Sequence, residues 1–397
     1  MSGALARPAG LLFRSALVLF GVTIVIGILN GLDVWDPPRT MILTHVHAGT
    51  LGWITMAVIG AALLMFGEGA DPAVVRSGTR LAQATVVTTV LYVAAFAIGT
   101  GIYRPITGTL VLVVMVWALG WVIWRWRATP TTVPTIAMML SLISLVIGAI
   151  LGVLLGLFMA RGSLPGLSPE FAASLAGAHP PAMLVGYLIL AAVAIAEWRL
   201  VEHPRPASES RVGVAVAFGL FAAGLLFNVA FIADLEQLIQ VASLLEVIGI
   251  VVFVGRMWAH LKPSAWSGAG VGVYTRMSVV FLAVGIGILV YLVQLFVSGA
   301  IDPEAGEGLN ILVAFDHAMF IGAMTNALFG VVALGMAFDG VQRLVVWAVN
   351  LGLAGFLVGL LSESTLIKRI STPVMGAALL LALFVFLTRR ESAPFSA

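Results

Sequence analysis

Cysteine is absent from the 397-residue chain. That excludes disulfides, thiolate metal centres and covalent haem attachment through Cys-x-x-Cys-His. Charge is scarce: Asp, Glu, Lys and Arg make up 10% of the residues, against 61% hydrophobic. No polar stretch is long enough for a soluble domain at either end, and there is no low-complexity tract. With a net charge of +2 and no basic cluster, a nucleic-acid-binding surface is excluded. No glycine-rich phosphate loop or hydrolase triad pattern is present. Histidine is nearly as rare as cysteine, with six residues in all, so each can be followed individually.

What the chain has in quantity is apolar runs of about 20 residues, the length needed to cross a bilayer as helix. The pattern predicts an all-α polytopic membrane protein with twelve transmembrane helices, at about 11–32, 41–66, 80–102, 107–126, 134–160, 169–199, 211–232, 237–261, 274–299, 307–338, 341–362 and 372–389. The first run is too long for a signal peptide and is read as a span. The connections are short, so the whole chain, 1–397, reads as one transmembrane domain. Placing the N-terminus inside puts 15 Lys and Arg at inner ends and 5 at outer ends, which orients both termini to the cytoplasm.

Four histidines then fall in the outer half of inward-running segments: His45 and His47 in the second, His179 in the sixth and His317 in the tenth. His260, beside Lys262, and His203, in a Pro-rich loop, read as ordinary interfacial residues. From His47 to His179 is 132 residues and from His179 to His317 is 138, four helices each time. "HVHAGTLG" and "HPPAMLVG" both place Gly seven residues after the first His; "HAGTLG" and "HAMFIG" both place it five after. The layout suggests three four-helix arcs, about 1–130, 131–265 and 266–397.

A single intramembrane imidazole is often a core residue bonded to a carbonyl. Four at one depth on related positions point instead to a site facing the bundle interior. Residues two apart on a helix diverge by about 200°, so His45 and His47 cannot share one metal; each serves a different site beside the same helix. Neutral imidazole suits haem iron or copper. Gly49 and Gly52 offer a shallow surface for a flat macrocycle, or simply close helix packing. The outer cations Arg39, Lys368 and Arg369 are candidate partners for haem propionates, or membrane anchors. Glu246, a carboxylate within the eighth segment, is a candidate proton carrier or metal ligand, or a helix–helix hydrogen-bond partner. Asn326 with Thr325, and Gln294 with Tyr291, suggest a polar path or plain packing. Met183 and Met319 read as core filler or axial ligands.

"HVHAGTLGW" resembles the His-x-His helix of subunit I in the haem-copper oxidase superfamily, especially the C-family oxygen reductases and nitric oxide reductases. With "HAMFIGAMTNALFG" it also resembles the NnrS-like haem and copper membrane proteins of nitric oxide metabolism. "IKRI" resembles the basic propionate-binding loop. The resemblance covers the whole chain. It implies that His45 serves a high-spin haem and His47 a low-spin one. It also implies one or two b-type haems toward the outer face of a prokaryotic inner membrane, with copper or non-haem iron as a second metal.

In the oxidases this helix is the tenth; here it is the second. A cyclic shift of the arcs pairs His47 with His179 and sets His317 in the place of a copper ligand. Without the shift, His47 pairs with His317, and His179-Pro180 takes the copper-ligand place. Either way the adjacent His-His pair of the copper site is missing, as is a His-Tyr crosslink pattern, which argues against a standard dioxygen reductase. The resulting expectation is a haem-binding redox protein, acting on nitric oxide or another small oxidant or passing electrons from an unidentified donor. A haem or gas sensor, an assembly factor and a twelve-helix secondary transporter are the alternatives. A transporter of the major facilitator type predicts two six-helix halves with a long central loop.

Overall fold

The computed structural model describes residues 3–162, 168–201, 204–302 and 307–389; His203 and Arg390 lie outside them. Twelve helices among these are long and apolar enough to cross a membrane: α1 (Ala6–Gly31), α2 (Arg39–Met65), α3 (Pro72–Ile98), α4 (Tyr103–Trp126), α5 (Val133–Arg161), α6 (Pro169–Leu200), α7 (Arg211–Ala233), α8 (Glu236–Leu261), α9 (Gly272–Val297), α10 (Leu309–Val332), α11 (Gly340–Leu361) and α12 (Thr365–Thr388). The chain is an all-α polytopic membrane protein.

Three helices form the centre. In α2, α6 and α10, 83%, 78% and 67% of the apolar stretch is buried, against 56% or less in every other span. The other nine surround them in the order α1, α3, α4, α5, α7, α8, α9, α11, α12 and back to α1. A helix apolar on all sides must be buried in protein or lipid; the three central helices take the protein and the ring takes the lipid. Many ring-helix side chains are accordingly exposed, such as Val18, Val113 and Leu351.

The units α1–α4, α5–α8 and α9–α12 repeat one another in detail. Each central helix contains an eight-residue π-helical segment, Ala48–Thr55, Ala182–Ile189 and Ala318–Thr325. Such segments are rare and concentrate at functional sites. The fifth residue of each is glycine, and the first helix of the unit presses a side chain onto it: Leu19 on Gly52, Ser144 on Gly186 and Phe281 on Gly322. An arginine stands at or just before the C-terminal end of the last helix of each unit, or directly after it. Arg125 donates to the carbonyls of Phe66 and Glu68, Arg256 pairs with Glu197, and Arg389 pairs with Asp339.

One close helix contact is backbone on backbone. A Cβ on Gly224 of α7 would lie 2.5 Å from the Cα of Gly186 in α6. Gly224→Ala is therefore expected to force α7 away from the π segment and to cost about 1–3 kcal/mol, the usual range for overpacking. A lowered thermal midpoint in detergent would register it. Gly219→Ala, which meets nothing within 4 Å, is the control.

Candidate functional site: paired histidines between the central helices

Numbered from the first π residue of each central helix, two preceding positions matter. Three residues before it stand His45, His179 and Phe315; one residue before it stand His47, Pro181 and His317. The two positions hold their imidazoles differently. The rings of His45 and His179 reach back to the preceding helix, Nδ1 lying 2.9 Å from the carbonyls of Thr23 and Gly148 respectively. The rings of His47 and His317 fold onto their own helix, Nδ1 lying 2.7 and 2.8 Å from the carbonyls of Leu43 and Val313.

In every case the partner of Nδ1 is a carbonyl, which can only accept. Nδ1 must therefore carry the proton, and the neutral ring presents its Nε2 lone pair. A carbonyl behind one ring nitrogen is the support that metal-binding histidines ordinarily have. All four rings are half-buried, so they remain approachable from between the helices.

Electrostatic proximity links the four two by two. His47 and His179 lie within electrostatic range of each other across α2 and α6. His317 and His45 do so across α10 and α2. This is the pairing of the shifted alignment; the unshifted partners, His47 and His317, share no such interaction. Each pair combines one ring of each kind. The third junction, between α6 and α10, carries Pro181 and Phe315 at the corresponding positions.

Glycines make room for the rings that reach across. A Cβ on Gly27 would lie 3.0 Å from Cε1 of His45, and one on Gly152 would lie 2.8 Å from Cε1 of His179. Each stands four residues after the carbonyl its histidine uses. The matching position in α9 is Leu289, four residues after Gly285. Gly49 and Gly52, the glycines marked in the sequence, do something else: Thr23 and Leu19 of α1 cover them. Met183 and Met319 fill the spaces over Gly148 and Gly285, so they act as core filler.

A second polar layer follows the same rotation. Trp53 Nε1 donates to Thr325 Oγ1 at 2.9 Å, joining α2 to α10, and Tyr187 Oη donates to Thr55 Oγ1 at 3.1 Å, joining α6 to α2. The corresponding residues between α10 and α6 are Ala323 and Ile189, both apolar. Nearby, Asn326 and Asn350 exchange two hydrogen bonds. Gln294 and Tyr291 are exposed on the outer surface and share no path with them.

Around His47 the structure adds residues that spacing did not single out. The ring stacks on Phe96 with 3.9 Å between centroids and meets the edge of Tyr92. The guanidinium of Arg104, itself buried, lies 4.2 Å over Phe96 and donates to its carbonyl. Read only as an outer-end charge in the sequence, Arg104 is the cation within electrostatic range of His47. Its burial beside an aromatic pair is a tertiary fact.

The cations marked in the sequence sit differently. Lys368 and Arg369 both bind the carboxylate of Asp33, at 2.8 and 3.1 Å, tying α12 to the loop after α1. Arg39 is exposed. The hydrogen bond from Lys368, reinforced by Arg369, holds the Asp33 carboxyl below its ordinary 3.8. A lowered folded-state value means the clamp contributes fully above the unfolded value and is lost as pH falls through the folded one. The difference in thermal midpoint between wild type and Asp33→Asn is thus expected to be flat from about pH 5 to 8 and to shrink below about pH 4.

Glu246 is 1% exposed on α8, and neither carboxylate oxygen has a hydrogen-bond partner among the described residues. No charge interaction links it to any of the four histidines, so the structure does not bring it to either pair. Among the described residues no three His, Cys, Asp or Glu side chains gather as a ready metal cluster; the histidines meet two at a time. No protein-family model matches the chain, and no curated protein matches it either.

Proposed function

We propose that this chain is an integral-membrane redox protein that binds b-type haem between its central helices, in the outer half of the bilayer. The observation that carries the reading is the set of four imidazoles, each with Nδ1 committed to a carbonyl and each within electrostatic range of one other across a helix junction. Two imidazoles from neighbouring helices would suit one haem iron. They do not by themselves make a tetrahedral copper or zinc site, which needs more ligands.

His47 and His179, and likewise His45 and His317, are the residues that would hold the group; Gly152 and Gly27 keep the space for the rings that reach across. Phe96 and Tyr92 fix the plane of His47. Arg104 is the buried cation on hand for a propionate and Arg39 an exposed one, while Lys368 and Arg369 are held by Asp33. Bound haem would supply one-electron iron chemistry. The protein would set its orientation and keep water away. The link to nitric oxide or small-oxidant metabolism comes from the resemblance of the HVH segment.

The test is the absorption spectrum of detergent-purified protein expressed with ample haem, oxidised and dithionite-reduced. A Soret band with a sharp reduced α-band is the expected result. No Soret band would overturn the reading and favour a secondary transporter.

A further inference from the structure

We propose that the two histidine pairs are equivalent bis-imidazole haem clamps related by the internal threefold, and that the α6/α10 junction is the same clamp with its ligands replaced. This rests on the haem reading and departs from what the resemblance implies, a closed low-spin site beside an open high-spin one with a second metal.

The equivalence is visible residue by residue. In each pair one imidazole comes from the position directly before the π segment and is held by its own helix; the other comes from two residues earlier and is held by the helix before. One rotation carries His47 with His179 onto His317 with His45. The same rotation carries Gly152 onto Gly27 and Tyr187–Thr55 onto Trp53–Thr325. Applied once more it reaches Pro181 with Phe315, Leu289 in place of the glycine, and Ala323 with Ile189. At that junction both ligands, the space for the crossing ring and the hydrogen bond below it are lost together. Loss of all four features at one junction and of none at the other two marks two complete sites.

A pair built in this way would supply two imidazoles to one iron. His317 is then the second ligand of the haem carried by His45, and no third side chain of the cluster is left over for another metal. His45 and His47 stand two residues apart on one helix, so they would hold the two haems on different sides of α2.

The experiment measures haem per protein by the pyridine haemochrome assay, together with low-temperature electron paramagnetic resonance and the effect of carbon monoxide on the reduced spectrum. Wild type, His179→Leu, His317→Leu and Phe315→Leu are compared, each as a monodisperse detergent-purified protein. Wild type is expected to carry two haems, both low-spin and indifferent to carbon monoxide. His179→Leu and His317→Leu are each expected either to fall to one haem or to keep two, with half of the Soret band now shifted by the gas. Phe315→Leu is expected to leave both haems unchanged. One haem in wild type, or a high-spin component that answers to carbon monoxide, overturns the equivalence and leaves the haem reading standing. No haem at all overturns both. The wild-type result decides the matter even if a variant does not fold.

Discussion

Gly152→Leu is expected to halve the haem content by clearing the site between α2 and α6, although residue 152 would not touch the iron. The ring of His179 lies directly against this glycine. A Cβ there would fall 2.8 Å from Cε1 and 3.2 Å from Nδ1, closer than real side chains approach. The ring cannot yield while keeping its bond to the Gly148 carbonyl, which is 2.9 Å away on the same helix. It must swing out, and metal–ligand distances tolerate only about 0.2 Å of error. Disturbing the support of a metal-binding histidine typically costs 10- to 100-fold in affinity. A direct displacement should reach at least the upper end of that range. Gly27→Leu is expected to do the same to the other site through His45, where the approach is slightly looser at 3.0 Å, so that Gly27→Ala is milder than Gly152→Ala. Leu289→Gly, the reverse change at the third junction, is expected to leave haem content as it was. Equal haem in wild type and both leucine variants would mean that neither crossing histidine is a ligand.

The helices were legible in the sequence for a simple reason: lipid imposes length and polarity on every span. All twelve predicted segments overlap observed helices; the largest departures are the starts of α3, at Pro72 where 80 was predicted, and of α12, at Thr365 where 372 was predicted, and the end of α10, at Val332 where 338 was predicted. The register of the repeat was legible in one signal and blurred in another. The glycine offsets in "HVHAGTLG", "HPPAMLVG" and "HAMFIG" give the alignment the structure has, with Gly52, Gly186 and Gly322 equivalent. The near-equal spacing of His47, His179 and His317 does not, because His179 matches His45 and not His47. Two residues of slip on a helix turn a side chain to the far face, and the pairing of the rings depends on that difference. The divergence of His45 and His47 to opposite sides of α2 followed from helical geometry alone. Residues on other helices were beyond reach. Nothing local distinguishes Gly27 and Gly152 from the other 41 of the 43 glycines, or marks Phe96 and Arg104 as neighbours of His47. The π segments are likewise set by tertiary packing, since α2 and α10 form them without proline while α6 carries Pro180 and Pro181 just ahead of its own.

Arg256→Met is expected to be the most destabilising of the three changes at the arginines that close the units, by roughly 3–5 kcal/mol, because it strands a charge inside the protein. The repeat gives three arginines in equivalent places with different partners. Arg389 meets Asp339 where both side chains are substantially exposed, 33% and 42%, and exposed pairs contribute about 0–1 kcal/mol. Arg125 donates to two backbone carbonyls, whose loss as hydrogen-bonded acceptors costs about 1–3 kcal/mol. Arg256 meets Glu197, whose side chain is only 7% exposed, at 2.6 Å. Its guanidinium also donates to Ser210 and rests against Gly213, where a Cβ would collide with it. The backbone is therefore shaped around this one arginine. Removing both partners, as Arg256→Met with Glu197→Met, is expected to recover most of the loss, because a buried ion pair replaced by apolar groups of similar volume is often neutral or stabilising. Thermal midpoints of the detergent-solubilised proteins should rank Arg256→Met below Arg125→Met and Arg389→Met highest, with the double variant above Arg256→Met alone. Haem content should be unaffected by any of them: Glu197 is 18 residues from His179 along α6, about 27 Å at 1.5 Å per residue. A double variant no more stable than Arg256→Met would show that Glu197 reaches water and that the pair is as weak as the one at Arg389.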